Sequence, residues 1–177
     1  MDTGSLIRTI QPSPTGGYFG SHAMAAYGDY ALISQLESIP SGASNSIGQV
    51  FLCNINTGAI LNTFVYVNEN YYNSATPSKF GRGVAINDRY IAIGDVYGNN
   101  HTDSANPWGS VRIYDLTTYQ QIAMIPNPYS RNTSTYDLFG VGISMNKYSL
   151  IVSAPQTSIN SGNAIEGSVV VFDGSVE

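Results

Sequence analysis

The sequence carries little charge of either sign and almost no cysteine. Its 177 residues include seven Lys or Arg and twelve Asp or Glu, which gives a formal net charge of −5. The basic residues are scattered singly and form no stripe that would neutralise nucleic-acid phosphates, so we expect no nucleic-acid partner. Cys53 is the only cysteine in these residues, so they can form neither an internal disulfide nor a cysteine-based zinc site.

Long apolar runs are missing as well. No stretch approaches the roughly 18 apolar residues of a membrane span, so we expect no membrane insertion. The opening Met1-Asp2-Thr3-Gly4 shows no basic region followed by an apolar segment, so no signal peptide is visible, and export by another route stays open. The polar residues are mostly Ser, Thr, Asn, Gln, Gly and Tyr, a composition typical of extracellular and virion-surface β-proteins, and this is where we expect the protein to be.

The chain is built from a threefold internal repeat. Three Phe-Gly pairs stand 61 and 59 residues apart, and each is followed after 27 or 28 residues by a second glycine that precedes a strand-like run. The first landmarks are Phe19-Gly20, Phe80-Gly81 and Phe139-Gly140, and the second are Gly48-Gln49-Val50, Gly109-Ser110-Val111 and Gly167-Ser168-Val169. Two landmarks kept in register three times indicate one structural unit used three times.

Each unit is predicted to form four β-strands, named a to d. Short apolar runs bounded by Gly, Asn and Asp favour strands, and no stretch has a helical period. Strand a is predicted at 23–26, 84–86 and 143–145, strand b at 30–33, 90–93 and 150–152, strand c at 50–53, 111–114 and 169–172, and strand d at 59–64 and 121–125. The turns between a and b, at 28–29, 87–88 and 146–147, contain residues that tolerate the positive φ of a two-residue hairpin.

Strand b is apolar on both faces and strand d is polar at alternate positions. We therefore expect strand b between neighbouring sheets and strand d at an exposed edge, a gradient that a β-propeller blade requires. A β-sandwich of about twelve strands is the alternative, but it gives no reason for a threefold period.

The order of motifs in each unit resembles the FG-GAP repeat of propellers of the integrin-alpha type. The third copy is the closest, with Phe139-Gly140, then Ser153-Ala154-Pro155, then a Gly-x-Val-x-Val-x-Asp segment at 167–173. The resemblance implies an all-β propeller used for adhesion or protein recognition. The sequence departs from the family in one respect: the Asp-rich calcium loop that such repeats often carry between strands a and b is replaced here by a tight turn, so the family's calcium sites do not carry over. We therefore expect no metal and no cofactor.

The predicted blades divide the chain into residues 19–79, 80–138 and 139–177, preceded by residues 1–18. The opening matches strand d of the first unit, so 1–18 is predicted to hold a strand d plus a linker, and the third blade is predicted to lack its own strand d. Three blades are fewer than propellers use. We therefore expect a homo-oligomer, a six-bladed homodimer closed by Leu6, Ile7 and Ile10, with a larger ring or a ring completed by neighbouring structural chains as the alternatives.

The connections from b to c and from d to the next a are all long, and they are predicted to lie at one end of the blades. Binding residues concentrate on loops held by a rigid scaffold. The aromatic residues predicted to bind a protein or glycan ligand there are Tyr71, Tyr72, Tyr97, Trp108, Tyr129 and Tyr136. Tyr among Ser and Asn is typical of recognition surfaces.

The function predicted from these features is a non-catalytic structural or adhesive module, such as a virion-surface or tail-fibre component. Two histidines, His22 and His101, have no nucleophile motif beside them. The alternative is a carbohydrate-active enzyme that uses carboxylates of the long connections, namely Asp95, Asp103, Asp137 and Glu166.

Overall fold

A computed structural model describes residues 4–12, 18–36, 48–66, 79–96, 109–128, 137–157 and 166–173. These residues form an all-β fold with eleven strands. The strands are β1 (Phe19–Tyr27), β2 (Tyr30–Gln35), β3 (Gln49–Asn54), β4 (Ile60–Phe64), β5 (Phe80–Ile86), β6 (Tyr90–Asp95), β7 (Ser110–Asp115), β8 (Gln121–Pro126), β9 (Ile143–Met145), β10 (Ser149–Ala154) and β11 (Ser168–Asp173). No helix among them is long and apolar enough to cross a membrane.

The strands form three antiparallel sheets, one for each repeat. Sheet 1 has the order β1-β2-β3-β4, sheet 2 has the order β5-β6-β7-β8, and sheet 3 has the order β9-β10-β11. The eleven strands predicted within the three repeats are therefore confirmed. The pairing also fixes the equivalent positions, because Tyr30 pairs with Asn54, Tyr90 with Asp115 and Ser149 with Asp173.

The expected gradient of burial is present in sheets 1 and 2. β2 and β6 are buried along most of their length, whereas β4 and β8 are mainly exposed or half-buried edge strands. Apolar residues on both faces of a strand are stable only where both faces are covered, and the buried positions of β2 and β6 lie on both faces of their sheets.

The turns between strands a and b use two different devices. Gly28 has a φ of 54°, in agreement with the predicted positive φ. Asn87 and Asn146 do not have positive φ; each folds its side chain back so that Oδ1 accepts two backbone N–H groups, at 2.7–2.9 Å. The prediction of positive φ was wrong at these two turns, because an Asn side chain can stabilise a turn by hydrogen bonding instead.

The sheets pack face to face, with sheet 2 between sheets 1 and 3. One apolar core joins sheets 1 and 2 and includes Leu32, Leu52, Phe64, Ile91 and Tyr114. A second core joins sheets 2 and 3 and includes Ala92, Ile113, Phe139, Leu150 and Val152. Contacts between neighbouring sheets are concentrated at their first strands, β1 with β5 and β5 with β9.

A close backbone contact recurs at both boundaries between sheets. A Cβ atom added at Gly48 would collide with the carbonyl oxygen of Phe80, and one added at Gly109 would collide with that of Phe139. Both glycines also have positive φ, 81° and 90°. The second landmark of each repeat is therefore glycine because the Phe of the next repeat lies directly against it.

The N-terminal segment, residues 4–12, lies on the side of sheet 1 that faces away from sheet 2. Ile10 packs against the cluster formed by Ile33, Phe51 and Cys53, and Arg8 Nη2 donates a hydrogen bond of 2.6 Å to the carbonyl oxygen of Asn56. The predicted strand at residues 6–10, which was expected to pair with a blade of another chain, stays a prediction; in the single chain the segment is not a β-strand. The physical reason is that no strand lies beside it, among the residues described, to form a ladder.

Candidate functional site

The candidate site is the end of the stack where the long connections begin and end, called here the loop end. Strands a and c start there, and strands b and d finish there, because the pairing is antiparallel throughout. The opposite end carries the short turns after Tyr27, Asn54, Ile86, Asp115 and Met145. The scaffold therefore separates a plain end from an end with extensive connections.

The six aromatic residues predicted to bind a ligand all lie outside the described residues. They are Tyr71, Tyr72, Tyr97, Trp108, Tyr129 and Tyr136. Of the residues predicted to close an oligomer, Leu6 and Ile7 are 84% and 85% exposed, whereas Ile10 is half-buried against sheet 1. The structure thus brings Ile10 into a core and leaves the other two side chains in solvent.

A buried charged group lies between sheets 1 and 2 near the loop end. Asp95 ends β6 and is fully buried, and its Oδ2 lies 3.9 Å from Nε of Arg112 in β7. Tyr66, just past the end of β4, places its ring 3.2 Å from the guanidinium carbon, and Arg112 Nη1 donates to Gln121 Oε1 at 3.1 Å. The guanidinium therefore joins the two sheets by stacking on the ring of Tyr66, while its ion pair with Asp95 lies within sheet 2.

Tyr114, on the same face of β7 as Arg112, is affected by this group. Burial raises the pKa of Tyr114 to about 12; the charge of Arg112 opposes the rise, and Asp95 and Tyr66 add to it. The phenol therefore stays protonated across the neutral range, and its ring serves the core, 4.7 Å from the ring of Phe64. This excludes a phenolate role for Tyr114 near neutral pH.

Two further polar pairs stabilise strand ends at the loop end, where the long connections begin and end. Gln49 Nε2 donates to Gln35 Oε1 at 2.7 Å, and Asn127 Nδ2 donates to Asp137 Oδ2 at 2.7 Å. Buried polar groups must be hydrogen-bonded, and these pairs satisfy that need where the apolar core ends. They hold the strand ends, and so the starting points of the connections, in fixed positions.

The carboxylates considered for catalysis do not share one environment. Asp95 and Asp137 are buried and engaged by Arg112 and Asn127, whereas Glu166 is exposed and Asp103 lies outside the described residues. His22 is exposed on β1, with Nδ1 at 2.7 Å from the hydroxyl of Ser21. In the part of the chain that the structure describes, no three His, Cys, Asp or Glu residues are grouped to hold a metal ion.

The sequence reasoning missed Arg112. Its signal was present, because Arg112 interrupts an otherwise apolar strand c at the position where the other repeats have Phe51 and Val170. A charged residue inside a buried strand requires a partner. Asp95 was interpreted as a residue of a surface connection, although it is the last buried residue of strand b.

No protein-family model matches the chain, and none of the curated proteins compared with it matches either.

Proposed function

We propose that the protein is a non-catalytic structural and adhesive module, a set of β-propeller blades that binds a protein or glycan at the loop end. The observation that carries this proposal is the stack of three equivalent sheets whose first strands converge and whose long connections all start at one end. In a propeller the blades meet along their first strands, and the loops at one end form the binding surface.

The chemistry of the loop end supports binding rather than bond cleavage. A retaining or inverting glycosidase needs two carboxyl groups facing the same sugar. Asp95 and Asp137 are instead buried and held by partners inside the scaffold. The connections that start at this end contain aromatic residues among Ser, Thr and Asn, a composition that suits protein or glycan recognition.

The low charge and the polar, Tyr-rich composition fit a protein exposed outside a cell or on a virion surface, such as a tail-fibre component. Such components bind neighbouring structural chains as well as a receptor. The proposed partners are therefore a protein or glycan ligand at the loop end and structural chains at the sides of the stack.

Binding to a panel of arrayed glycans and immobilised cell-surface proteins tests the function. Replacing Trp108, Tyr71 or Tyr97 by Ala should weaken binding by about tenfold or more if these rings are anchors. Tyr27 and Tyr148 are matched controls, because they are exposed beside the short turns at the opposite end. Their replacement by Ala should leave binding unchanged.

Equal loss of binding from the controls would contradict recognition at the loop end. Polysaccharide cleavage that disappears in Asp103→Asn or Glu166→Gln would contradict the non-catalytic function and favour a carbohydrate-active enzyme.

A further inference from the structure

Each sheet has a forward face, which points along the chain direction toward the next sheet. The forward face is formed by Leu32, Val50 and Leu52 in sheet 1, by Ala92, Val111 and Ile113 in sheet 2, and by Ile151, Val169 and Val171 in sheet 3. The first two sets are buried, whereas the third set is 39%, 64% and 64% exposed. Sheet 3 thus presents to solvent the same apolar surface that its two equivalents bury.

Each sheet also has a backward face, which receives the preceding sheet. It is formed by Met24, Ile33 and Cys53 in sheet 1, by Val84, Ile93 and Tyr114 in sheet 2, and by Ile143, Val152 and Phe172 in sheet 3. Met24 is 65% exposed, but its equivalent Val84 is buried by sheet 1. The described chain therefore leaves one forward face and part of one backward face uncovered. A forward face and a backward face pack against each other at both internal boundaries, so these two faces match.

The contact between the second-landmark glycine and the Phe of the next repeat is missing at the same two uncovered faces. Gly48 and Gly109 lie against the next repeat's Phe, whereas the nearest atom to a Cβ on Gly167 is the carbonyl oxygen of Pro155 at 3.0 Å, within the same repeat. Phe80 and Phe139 are fully buried, but Phe19 is only half-buried. Gly167 and Phe19 are thus the two unmatched halves of a contact that the fold makes twice.

The N-terminal segment occupies the position of a fourth strand in front of sheet 1. Ile10, the equivalent of Phe64, packs on the backward-face cluster of sheet 1, just as Phe64 packs on Tyr114 of sheet 2. Gly4 has a φ of 67°, close to the 76° of its equivalent Gly58. Among the described residues, no strand pairs with this segment and none lies on the free side of β11.

We infer that a second copy of this chain covers the forward face of sheet 3 with the backward face of its own sheet 1, and that its N-terminal segment pairs with β11 as a fourth strand. The inference rests on the proposed propeller module and specifies its structural partner. A second copy is the occupant that the structure supports, because it supplies Phe19, Met24 and the unpaired segment together, in the arrangement used at both internal boundaries. Among the described residues, sheets 1 and 3 do not pack against each other, so sheet 1 of the same chain does not cover sheet 3.

The register of β3 with β4 predicts which residues of β11 lie opposite which residues of the second copy's N-terminal segment. They are Ile10 with Val169, Thr9 with Val170, and Arg8 with Val171. Directly opposed residues on antiparallel strands have Cα atoms at a separation that a disulfide can span. A shift of one residue puts the side chains on opposite faces, where they cannot be joined.

Cysteine cross-linking of the full chain tests this register. Thr9→Cys combined with Val170→Cys should give a covalent species of twice the chain mass or a larger covalent ring after oxidation, either of which supports the inference. Thr9→Cys with Val171→Cys, shifted by one residue, should give none. A cross-link within one chain, or equal cross-linking in the shifted pair, would overturn the inference.

Light scattering of the unmodified protein provides a second measurement. Val169→Ser with Val171→Ser changes only side chains that are exposed in the single chain, so the fold should persist while the measured molar mass falls to that of one chain. A native protein that stays monomeric at high concentration, or an assembly unaffected by these changes, would overturn the inference. Binding at the loop end is measured with different residues, so failure of the assembly and failure of the recognition function are distinguishable.

Discussion

The first three strands of sheet 2 have the same order and register as the three strands of sheet 3, yet only sheet 2 is covered on both faces. Val111 and Ile113 are buried, and their equivalents Val169 and Val171 point into solvent. The alternation of apolar residues is similar in both strands. Burial in this fold therefore depends on the neighbouring sheet, and an apolar pattern alone shows which faces require a neighbour.

The two sheets also differ in polarity on the backward face. Sheet 2 has Asp95 and Arg112 where sheet 3 has Ala154 and Val170. A buried ion pair contributes little net stability compared with apolar residues, but breaking one leaves a buried charge. The boundary between sheets 1 and 2 thus contains a charged pair whose disruption leaves a buried charge, and Ala154 and Val170 carry no such charge at the boundary between sheets 2 and 3.

The largest effect is expected at the glycine contacts between sheets. Gly109→Ala should destabilise the fold by at least about 3 kcal/mol, because it adds backbone strain at positive φ and a collision with Phe139. Gly167→Ala is the matched control: its φ of 70° gives the strain without that collision, at about 1–2 kcal/mol. Denaturant unfolding compares the two glycine variants. Both also carry Val169→Ser and Val171→Ser, which are expected to keep the protein as a single chain. Equal losses would show that the contact is unimportant.

An effect of similar size is expected at the buried ion pair. Arg112→Val, which copies Val170, should cost about 3–5 kcal/mol because Asp95 would keep a buried charge without its cation. Adding Asp95→Ala, which copies Ala154, should restore most of that loss. A double-mutant cycle measured by denaturant unfolding gives the coupling. Strictly additive losses would mean that the two groups do not interact.

The comparison of the forward faces of sheets 2 and 3 predicts that two variants lose stability with a different dependence on protein concentration. Ile113→Ala removes buried apolar atoms and should cost about 2–4 kcal/mol at every protein concentration. Val171→Ala should cost less than about 0.5 kcal/mol in dilute protein, because the side chain is exposed. Its cost should rise with concentration if a partner copy covers it. A concentration-independent effect of Val171→Ala would argue against assembly through this face.

The extent to which the sequence predicted the fold can be judged position by position. Short apolar runs between Gly, Asn and Asp located every strand within the repeats, because strand formation depends on local pattern. The segment ending at Ile10 has the pattern of strand d but no ladder, because pairing requires a second strand that local pattern does not supply. The charge of Arg112 inside an apolar strand indicated a buried partner, but local pattern could not identify Tyr66 and Asp95, which are distant from it in sequence.

A smaller effect is expected in the turns between strands c and d. Asp115 Oδ1 accepts the N–H groups of Thr117 and Thr118 at 2.9 and 2.7 Å. These hydrogen bonds, the one from the Thr118 backbone foremost, hold the pKa of Asp115 below its ordinary value of 3.8. Its charged form therefore stabilises the fold above that value, and the contribution is lost as the pH falls through the lowered pKa.

Asp115→Ala should lower the melting temperature by about 2–4 °C at neutral pH. Asp115→Asn keeps the acceptor and copies Asn54, which makes the same turn in sheet 1 with Oδ1 accepting from Thr57. The Asn variant should melt near the native temperature at neutral pH and lose the acid-dependent part of the melting curve. If the Asn and Ala variants melt alike, the hydrogen bonds do not hold the turn.

The smallest effect is expected from a chelator. The short turns between strands a and b are held by Gly28, Asn87 and Asn146 without any need for a cation. Adding a chelator should leave the melting temperature unchanged. A large fall that added calcium reverses would contradict this prediction and indicate a cation in the long connections.

Cys53 lies fully buried in the cluster against which Ile10 packs, and burial raises the pKa of its thiol. A thiol-reactive reagent can reach this sulfur only when the N-terminal segment lifts away or sheet 1 opens. The rate of labelling therefore measures how often that opening occurs, at a residue that the native chain already contains. A partner copy would hold the segment from its other side and slow the labelling. The labelling rate of Cys53 therefore reports the association of two chains.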